Sequence, residues 1–135
     1  MLDRKIFKKY DIRGIYPAAI NEETVQQVTR TALKIFGRGA VVIGYDARLS
    51  SPSLYLALKK ELAKHSKLKI LEMDLTTTPA FYFTVIDQKA RGGIMITASH
   101  NPKEYNGLKI VGKKAAMIGG EQILKIMDGG KNHGQ

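Results

Sequence analysis

Residues 93–109 have the sequence GIMITASHNPKEYNGLK, a short apolar run followed by a polar, turn-rich loop around Ser99. A brief continuous apolar run is typical of a strand that is covered on both faces, as in α/β proteins. Loops that leave such strands hold their side chains at a fixed point beside the scaffold, where binding and catalytic groups are usually placed. The loop from Thr97 to Lys109 is therefore the first candidate for a functional site.

The size and composition are those of one globular domain. The chain has 135 residues, of which 44% are hydrophobic, so it can bury a core without disulfides or metal. It contains no cysteine, which excludes a disulfide framework and a cysteine zinc site. No secretory leader is predicted, and no apolar run approaches the roughly 20 residues that span a bilayer. We therefore expect a soluble cytoplasmic protein with no membrane partner.

The formal net charge of +10 favours anionic partners, which include nucleic acid, acidic protein surfaces and phosphorylated metabolites. Lysines are frequent in residues 59–69, where a solvated face around one predicted helix and the next strand accounts for them without any ligand. Other basic residues are scattered along the sequence and form no run interleaved with aromatic residues. A nucleic-acid partner is therefore not predicted.

The first part of the chain is predicted to alternate strand, helix and strand. Residues 6–12 are predicted to form a strand that ends at residues 13–14. Asn21 is a preferred N-cap and Gly37 a typical terminator, so a helix is predicted between them. A continuous apolar run at residues 40–44 predicts a buried strand.

The remaining elements continue this alternation. Ser51 is predicted to cap a second helix that has Pro52 at its first position. A turn at residues 76–79 is predicted to cap a third helix. The other predicted elements are strands at residues 68–73 and 93–97, a hairpin of residues 108–111 and 115–118, and a last helix at residues 121–127.

Strands separated by helices indicate right-handed βαβ units. The predicted fold class is therefore α/β, a three-layer α/β/α single domain with a mostly parallel mixed sheet. We place this domain at residues 1–128 and expect residues 129–135 to form a flexible tail.

The chemistry of the serine loop can be narrowed from its residues. Ser99 and His100 do not fit a serine hydrolase, because chain neighbours rarely align a base with the hydroxyl and no Gly-x-Ser-x-Gly elbow occurs. No P-loop and no dinucleotide fingerprint occurs either. Phosphoryl transfer needs a nucleophilic oxygen, which Ser99 provides, and positive charge around the phosphoryl group. Lys109, His100 and Arg13 provide that charge if the fold brings them together. The residues alone leave two interpretations open, a phosphate-handling site and an ordinary loop.

Four segments together resemble the α-D-phosphohexomutases, the phosphomannomutase/phosphoglucomutase family. The loop from Thr97 to Lys109 is similar to the phosphoserine motif of that family at essentially every defining position. Residues 10–14 (YDIRG) are similar to its N-terminal signature, residues 44–52 (GYDARLSSP) to its second strand–helix junction, and residues 77–79 (TTP) to the turn after its third strand.

The resemblance implies roles for individual residues. Ser99 would carry the phosphoryl group and would bind Mg²⁺ through a phosphate oxygen. Lys109 would act as general acid/base and charge stabiliser, with His100 as a second candidate, and Asn106 would help to shape the loop. Arg13 would act in catalysis as well as in binding the substrate phosphate, which Tyr10 and Lys109 would also bind. Asn101 would both help to shape the loop and bind phosphate.

The implied reaction is a reversible shift of phosphate between the 1- and 6-positions of a hexose. It would take hexose phosphates as substrates and glucose or mannose 1,6-bisphosphate as activator. Family members have four domains, and the metal, sugar-selecting and phosphate-gripping loops of the last three do not occur in this sequence. The chain therefore resembles the first domain alone, and we expect it to need the other domains as partners and to be inactive without them. Two other functions stay open, a stand-alone sugar-phosphate or anion-binding module and, more weakly supported, a basic interaction domain for nucleic acid.

Overall fold

Six strands and four helices lie within residues 2–129, which the computed structural model describes. Strands and helices alternate as far as the fourth strand, and two more strands then precede the last helix. The strands are β1 (Ile12–Ile15), β2 (Gly39–Tyr45), β3 (Leu68–Leu75), β4 (Gly92–Ile96), β5 (Tyr105–Val111) and β6 (Met117–Ile118). The helices are α1 (Glu22–Phe36), α2 (Ser51–Leu62), α3 (Thr78–Asp87) and α4 (Gly120–Met127). Two short 3-10 turns lie at Arg4–Ile6 and Lys113–Ala115.

All six strands belong to one mixed sheet, in the order β3-β2-β4-β5-β1, with β6 paired to the far end of β5. β2 is parallel to both β3 and β4, whereas β5 is antiparallel to β4, β1 and β6. Five of the described strands therefore point the same way and β5 runs against them. The predicted three-layer domain with a mostly parallel mixed sheet is confirmed.

The helices cover the two faces of the sheet unequally. Alternate residues of a strand face opposite sides, and Val41 and Ile43 pack into a large core under α1, α2 and α4. Val42 faces the other side, where it packs with Phe81 and Val85 of α3 in a smaller core. Because α3 packs on this face near β2 and β4, part of β5 and β1 is left for a cleft.

The predicted helix cap at Asn21 is confirmed, and within the predicted turn at residues 76–79 it is Thr77 that caps α3. Asn21 Oδ1 accepts a hydrogen bond of 3.0 Å from the backbone N–H of Thr24, and Gly37 ends α1 with a φ of 71°. Thr77 accepts one of 3.2 Å from the N–H of Ala80 at the start of α3. Both caps satisfy backbone donors that have no partner within the helix.

The predicted strand at residues 6–12 is wrong. Residues 4–6 form a 3-10 turn, and the chain then reverses direction through a turn in which the N–H of Lys8 donates to the carbonyl of Asp11 at 2.8 Å. β1 begins only at Ile12, and it includes Arg13 and Gly14, which we had expected to end the strand.

Two further expectations need correction. Ser50, not Ser51, is the N-cap of α2, because the Ser51 hydroxyl is buried and donates to Asp46 Oδ1 at 2.6 Å. Ala115 belongs to a 3-10 turn, so the hairpin partner of β5 is shorter than predicted. The predicted flexible tail lies outside the described residues apart from Gly129. No helix among residues 2–129 is both long and apolar enough to cross a membrane.

Candidate active site

The loops that follow β2 and β4 leave the sheet side by side. The two strands are parallel neighbours, and Tyr45 lies opposite Ile96 at their carboxyl ends. Ligand sites of open α/β sheets lie at this end of the strands. Here the loop after β2 provides Asp46 and Arg48, and the loop after β4 provides Ser99.

Arg48 binds the serine loop through four backbone carbonyl groups. Its Nη1 donates to the carbonyl oxygens of Pro102 at 2.7 Å and Tyr105 at 3.0 Å. Its Nη2 donates to those of Ser99 at 2.8 Å and Asn101 at 2.7 Å. A planar guanidinium with donors in a fixed geometry suits this arrangement better than an ammonium group would. The path of the loop backbone is therefore set largely by one side chain from the neighbouring strand end.

Asp46 also holds the serine loop in place through hydrogen bonds to its carboxylate. Its Oδ2 accepts a 2.7 Å hydrogen bond from the Thr97 hydroxyl, and that hydroxyl oxygen accepts one of 3.0 Å from the N–H of Ser99. Its Oδ1 accepts from the Ser51 hydroxyl at 2.6 Å and from the Arg48 N–H at 3.1 Å. The Asp46 carboxylate thus links β2, α2 and the serine loop.

Ser99 has an uncommon backbone conformation. Its φ of 55° lies in the left-handed region, which costs a residue with a Cβ about 1–2 kcal/mol. The hydrogen bonds from Arg48 and to Thr97 hold it there. Ser99 is exposed, so its hydroxyl is presented to a ligand by a restrained backbone.

Asn106 and Gly107 form the base of the loop. The Asn106 amide is fully buried and donates to the hydroxyls of Ser50 at 2.8 Å and Ser51 at 3.0 Å, while its oxygen accepts from the Gly107 N–H. A Cβ on Gly107 would lie 2.0 Å from the Ile12 carbonyl oxygen. Only glycine permits this close approach of β1 and β5.

A buried carboxylate lies between two cations on the open face of β1 and β5. Asp11 is 7% exposed, and its two oxygens lie 3.6 Å from Arg13 Nε and 3.7 Å from Lys109 Nζ. These separations are ion pairs rather than hydrogen bonds. Both cations keep donors that can bind the oxygens of an anion.

The N-terminal half of α3 closes the other side of the cleft with Thr78, Pro79 and Tyr82. Burial raises the pKa of the Tyr82 phenol, and the negative charge of Asp11 raises it further. Tyr82 therefore stays neutral at physiological pH and can only donate or accept hydrogen bonds there.

One open cleft of about 900 Å³ brings the predicted site residues together. Tyr10 is 58% exposed with Lys9 Nζ 5.5 Å from its ring centre, and His100 is exposed. The Asn101 side chain donates to the Ala98 carbonyl at 2.8 Å. The predicted residues that line the cleft are Tyr10, Arg13, Ser99, His100, Asn101 and Lys109. Lys8, Lys9 and Asp46 also line it.

The described residues do not by themselves fit a Mg²⁺ site. Among residues 2–129 no group of three acidic, histidine or cysteine side chains is placed to hold a metal ion. Asp11 already pairs with Arg13 and Lys109, and Asp46 accepts hydrogen bonds from three donors. Ser99 could contribute one oxygen ligand, which is fewer than Mg²⁺ requires.

Sequence reasoning missed the roles of Arg48 and Asp11. Arg48 lies 51 residues before Ser99, so nothing local to the serine loop indicated that it would bind four of its carbonyls. Asp11 was overlooked because the first strand was placed too early. With β1 in its observed register, Ile12 opposite Leu108, Asp11 would have been expected beside Lys109.

Comparison with known proteins gives consistent results. The family profile described as "Phosphoglucomutase/phosphomannomutase, alpha/beta/alpha domain I" matches residues 4–134. A "Phosphohexose mutases" protein of Xanthomonas campestris is 40% identical over 118 residues, which are 87% of this chain and 26% of that protein. A phosphomannomutase of Escherichia coli is 39% identical over 119 residues, 88% of this chain and 26% of the relative. A phosphomannomutase of Klebsiella pneumoniae is 38% identical over 88% of this chain and 75% of its own length. The chain thus spans about a quarter of the length of the first two relatives.

Solved structures show the same likeness. A phosphoglucomutase/phosphomannomutase family protein from Burkholderia thailandensis superposes with a TM-score of 0.78 and 31% identity, covering 96% of this chain and 31% of its own. A putative phosphomannomutase from Thermus thermophilus superposes with a TM-score of 0.79 and 30% identity, covering 95% of this chain and 30% of its own.

Proposed function

Because this chain belongs to the phosphoglucomutase/phosphomannomutase family, with the fold of its domain I, we propose that it is a phosphoserine-bearing domain of a hexose phosphate mutase. Such an enzyme moves phosphate between the 1- and 6-positions of a hexose, and Ser99 is the residue that carries the phosphoryl group. Hexose phosphates are the substrates. The remaining domains of a mutase are the partners, and the cytoplasm is the compartment.

The observation that carries this proposal is the restrained, exposed Ser99, which lines the same cleft as two cations that one carboxylate only partly neutralises. Arg48 and Thr97 hold the Ser99 backbone in place. Lys109 and Arg13 share one carboxylate between them, so this pair carries one net positive charge in the cleft. Phosphoryl transfer is catalysed mainly by positioning and by positive charge around the phosphoryl oxygens.

The proposed transfer assigns a role to each of these residues. The bond between phosphorus and Ser99 Oγ breaks as a hydroxyl oxygen of the hexose monophosphate forms a new bond to phosphorus. The hydroxyl proton passes to a base, and the Ser99 oxygen is protonated in turn. Lys109 is the first candidate for this proton transfer and His100 the second. The resulting 1,6-bisphosphate turns round in the cleft and returns its other phosphoryl group to Ser99.

A metal ion enters the proposal only as a ligand of the phosphorylated serine. Mg²⁺ would supply positive charge at the phosphoryl oxygens. Since the described residues offer no carboxylate set for it, the other ligands would come from another domain. For the same reason we expect the chain alone to give no sustained turnover. A coupled assay with glucose 1-phosphate, Mg²⁺ and catalytic glucose 1,6-bisphosphate tests this expectation.

A chimera tests the function directly. Residues 1–128 replace the corresponding domain of the E. coli phosphomannomutase, and mannose phosphate interconversion is measured with a bisphosphate activator. We expect turnover that Ser99→Ala lowers by several orders of magnitude, because the covalent carrier is lost. Ser66→Ala, an exposed serine after α2, is the matched control and should leave turnover unchanged. A folded chimera whose turnover survives Ser99→Ala would contradict the proposal. Binding of hexose phosphates with no turnover would instead support a binding module.

A further inference from the structure

The side of the sheet at which β2, β3 and β4 begin, opposite the serine loop, is strongly basic. The strands β2, β3 and β4 begin at this edge and β5 ends there, so four connections lie along it: residues 37–38, 63–67, 88–91 and 112–116. We call the following set the basic edge, of which Lys69 is the second residue of β3 and the others lie in the connections. Its members are Arg38, Lys67, Lys69, Lys89, Arg91, Lys113 and Lys114.

These cations are exposed and lack acidic partners within residues 2–129. Every member of the basic edge is exposed, and none is among the ion pairs of that range. The four connections contain no Asp or Glu, and Asp87 at the end of α3 is the acid next to them in sequence. Lys64, in the same set of connections, does pair with Glu61 and is therefore not counted.

Strand pairing arranges the basic edge as a row in the order of the sheet. Leu68 lies opposite Gly39, so Lys67 and Arg38 are neighbours, and both line one small surface cavity. The Arg91 N–H donates to the carbonyl of Ala40 at 2.8 Å, which places Arg91 at the start of β2, two residues from Arg38. Val111 lies opposite Gly93, which carries the row on to Lys113 and Lys114.

The proposed mutase chemistry does not use this row. The basic edge and Ser99 lie at opposite ends of the strands, separated by the length of β2, which at about 3.3 Å per residue is roughly 20 Å. Like charges so close together repel one another. Lys89 and Lys114 also have left-handed φ values of 50° and 59°, where glycine or asparagine is preferred. No ion pair among residues 2–129 offsets the repulsion between these charges.

We infer that the basic edge binds the phosphate backbone of duplex nucleic acid without sequence preference. Seven cations across three strand spacings, about 14 Å, give about one charge per 2 Å. Duplex DNA carries one negative charge per about 1.7 Å of its axis, whereas an extended, fully acidic peptide carries one per about 3.3 Å. A row that follows the order of the strands also matches a linear polyanion better than the plane of a membrane.

The side chains indicate how contact is made. The Arg91 Nε donates to the Phe36 carbonyl at 3.2 Å, which orients its guanidinium and leaves the outer nitrogens for a phosphate. No Phe, Tyr or Trp occurs in the four connections, so stacking on exposed bases is not available. Contact is therefore with phosphates and carries no sequence information. The basic residues are scattered in the sequence, and it is the sheet order that gathers them.

Fluorescence anisotropy with a labelled 20-bp duplex and the complete chain tests the inference between 50 and 200 mM salt. The edge variant carries Lys89→Gln, Arg91→Gln, Lys113→Gln and Lys114→Gln. The control variant carries Lys5→Gln, Lys60→Gln, Lys103→Gln and Lys125→Gln, which removes the same charge from other exposed positions. Both variants are first shown by circular dichroism to be folded.

We expect the edge variant to bind at least ten-fold more weakly and to lower the slope of log K against log salt by about 3 to 4, since each phosphate contact contributes about 0.9. The affinity of the control variant for the duplex should stay within about three-fold of that of the parent. Equal losses in both variants would overturn the inference, because net charge alone would then account for binding. Absence of binding at 50 mM salt would overturn it as well. Tighter binding of polyglutamate or anionic vesicles than of the duplex would assign the edge to another partner and overturn it too.

Discussion

Arg48 and Ser99 are joined by a 2.8 Å hydrogen bond from the Arg48 guanidinium to the Ser99 carbonyl oxygen, although 51 residues separate them in the chain. The same guanidinium binds three more carbonyls of the loop. Ser99 is exposed to solvent and lies outside every described strand and helix, and these hydrogen bonds hold its backbone on a rigid support. Such support is what a covalent phosphoryl carrier requires.

The first prediction concerns Arg48. Arg48→Lys keeps the charge but cannot reach four carbonyls at once, so we expect it to lower the free energy of unfolding by about 2–3 kcal/mol. Amide hydrogen exchange should also become faster at Asn101 and Tyr105, whose N–H groups close turns of the loop. Urea denaturation and exchange measured by NMR test both effects. Lys103→Ala, an exposed change in the same loop, should do neither. An Arg48→Lys chain as stable as the parent would show that the four bonds do not hold the loop.

Two glycines in β5 and just after it provide a matched pair for a packing test. A Cβ at Gly107 would lie 2.0 Å from the Ile12 carbonyl, whereas one at Gly112 meets its first neighbour, Ile118 Cδ1, at 3.5 Å. We expect Gly107→Ala to destabilise the chain by about 3 kcal/mol or more and Gly112→Ala by less than about 1 kcal/mol. Thermal and urea unfolding measure the difference. Equal effects would mean that β1 can move away from β5 at little cost.

The loss of folding stability at acid pH is expected to depend on Glu61. Burial acts to raise the pKa of this carboxyl, but the His65 hydrogen bond and the positive charges of Arg30 and Lys64 outweigh it, so the pKa lies below its ordinary value. A carboxyl with a lowered folded-state pKa stabilises the fold above its unfolded pKa of about 4.3, and this contribution is lost as pH falls through the folded value.

Urea unfolding between pH 7 and pH 3 tests this dependence. We expect the free energy of unfolding of the parent to fall below about pH 4.5, and Glu61→Gln to be less stable at pH 7 with a shallower decline. Glu121→Gln, in the exposed first turn of α4, should keep the parental slope. If the free energy of unfolding of Glu61→Gln falls as steeply with pH as that of the parent, other carboxylates account for the loss of stability in acid.

Lys109 offers a prediction about chemistry that is separable from folding. Its side chain is 23% exposed and its described ion pair is with Asp11, so Lys109→Met should leave the chain folded. In the chimera we expect turnover to fall by about 100-fold or more, the size typical of losing one donor to transition-state charge. Lys125→Met on α4 is the control. Turnover that stays within about three-fold of the parent would remove Lys109 from the site.

Much of the architecture was predictable because its signals are local. The Asn21 cap and the Gly37 terminator bound α1 as expected. The strand at residues 40–44 was found because a short continuous apolar run is typical of a buried strand in an α/β chain. The serine loop was located because a polar, turn-rich segment follows a buried strand.

The parts that failed depend on distant partners. Residues 6–12 have the apolar content of a strand, but the turn at Lys8 is held by the N–H of Glu121, which donates to the Lys8 carbonyl at 2.9 Å. A Cβ at Gly120 would lie 2.3 Å from the Asp11 carbonyl, so α4 also packs closely against this turn. No pattern within residues 6–12 records these contacts. The basic edge is invisible in the sequence for the same reason, since it depends on the order of strands in the sheet.

The most direct test of the central claim is to locate the phosphoryl group by tandem mass spectrometry. The chimera that contains residues 1–128 is purified from cells, digested and analysed before and after incubation with a hexose 1,6-bisphosphate. The account predicts one phosphoryl group on Ser99 that rises towards full occupancy with the bisphosphate and is lost on incubation with excess hexose monophosphate. An active chimera in which Ser99 stays unmodified, or in which the phosphoryl group is on another residue and persists in Ser99→Ala, would contradict it.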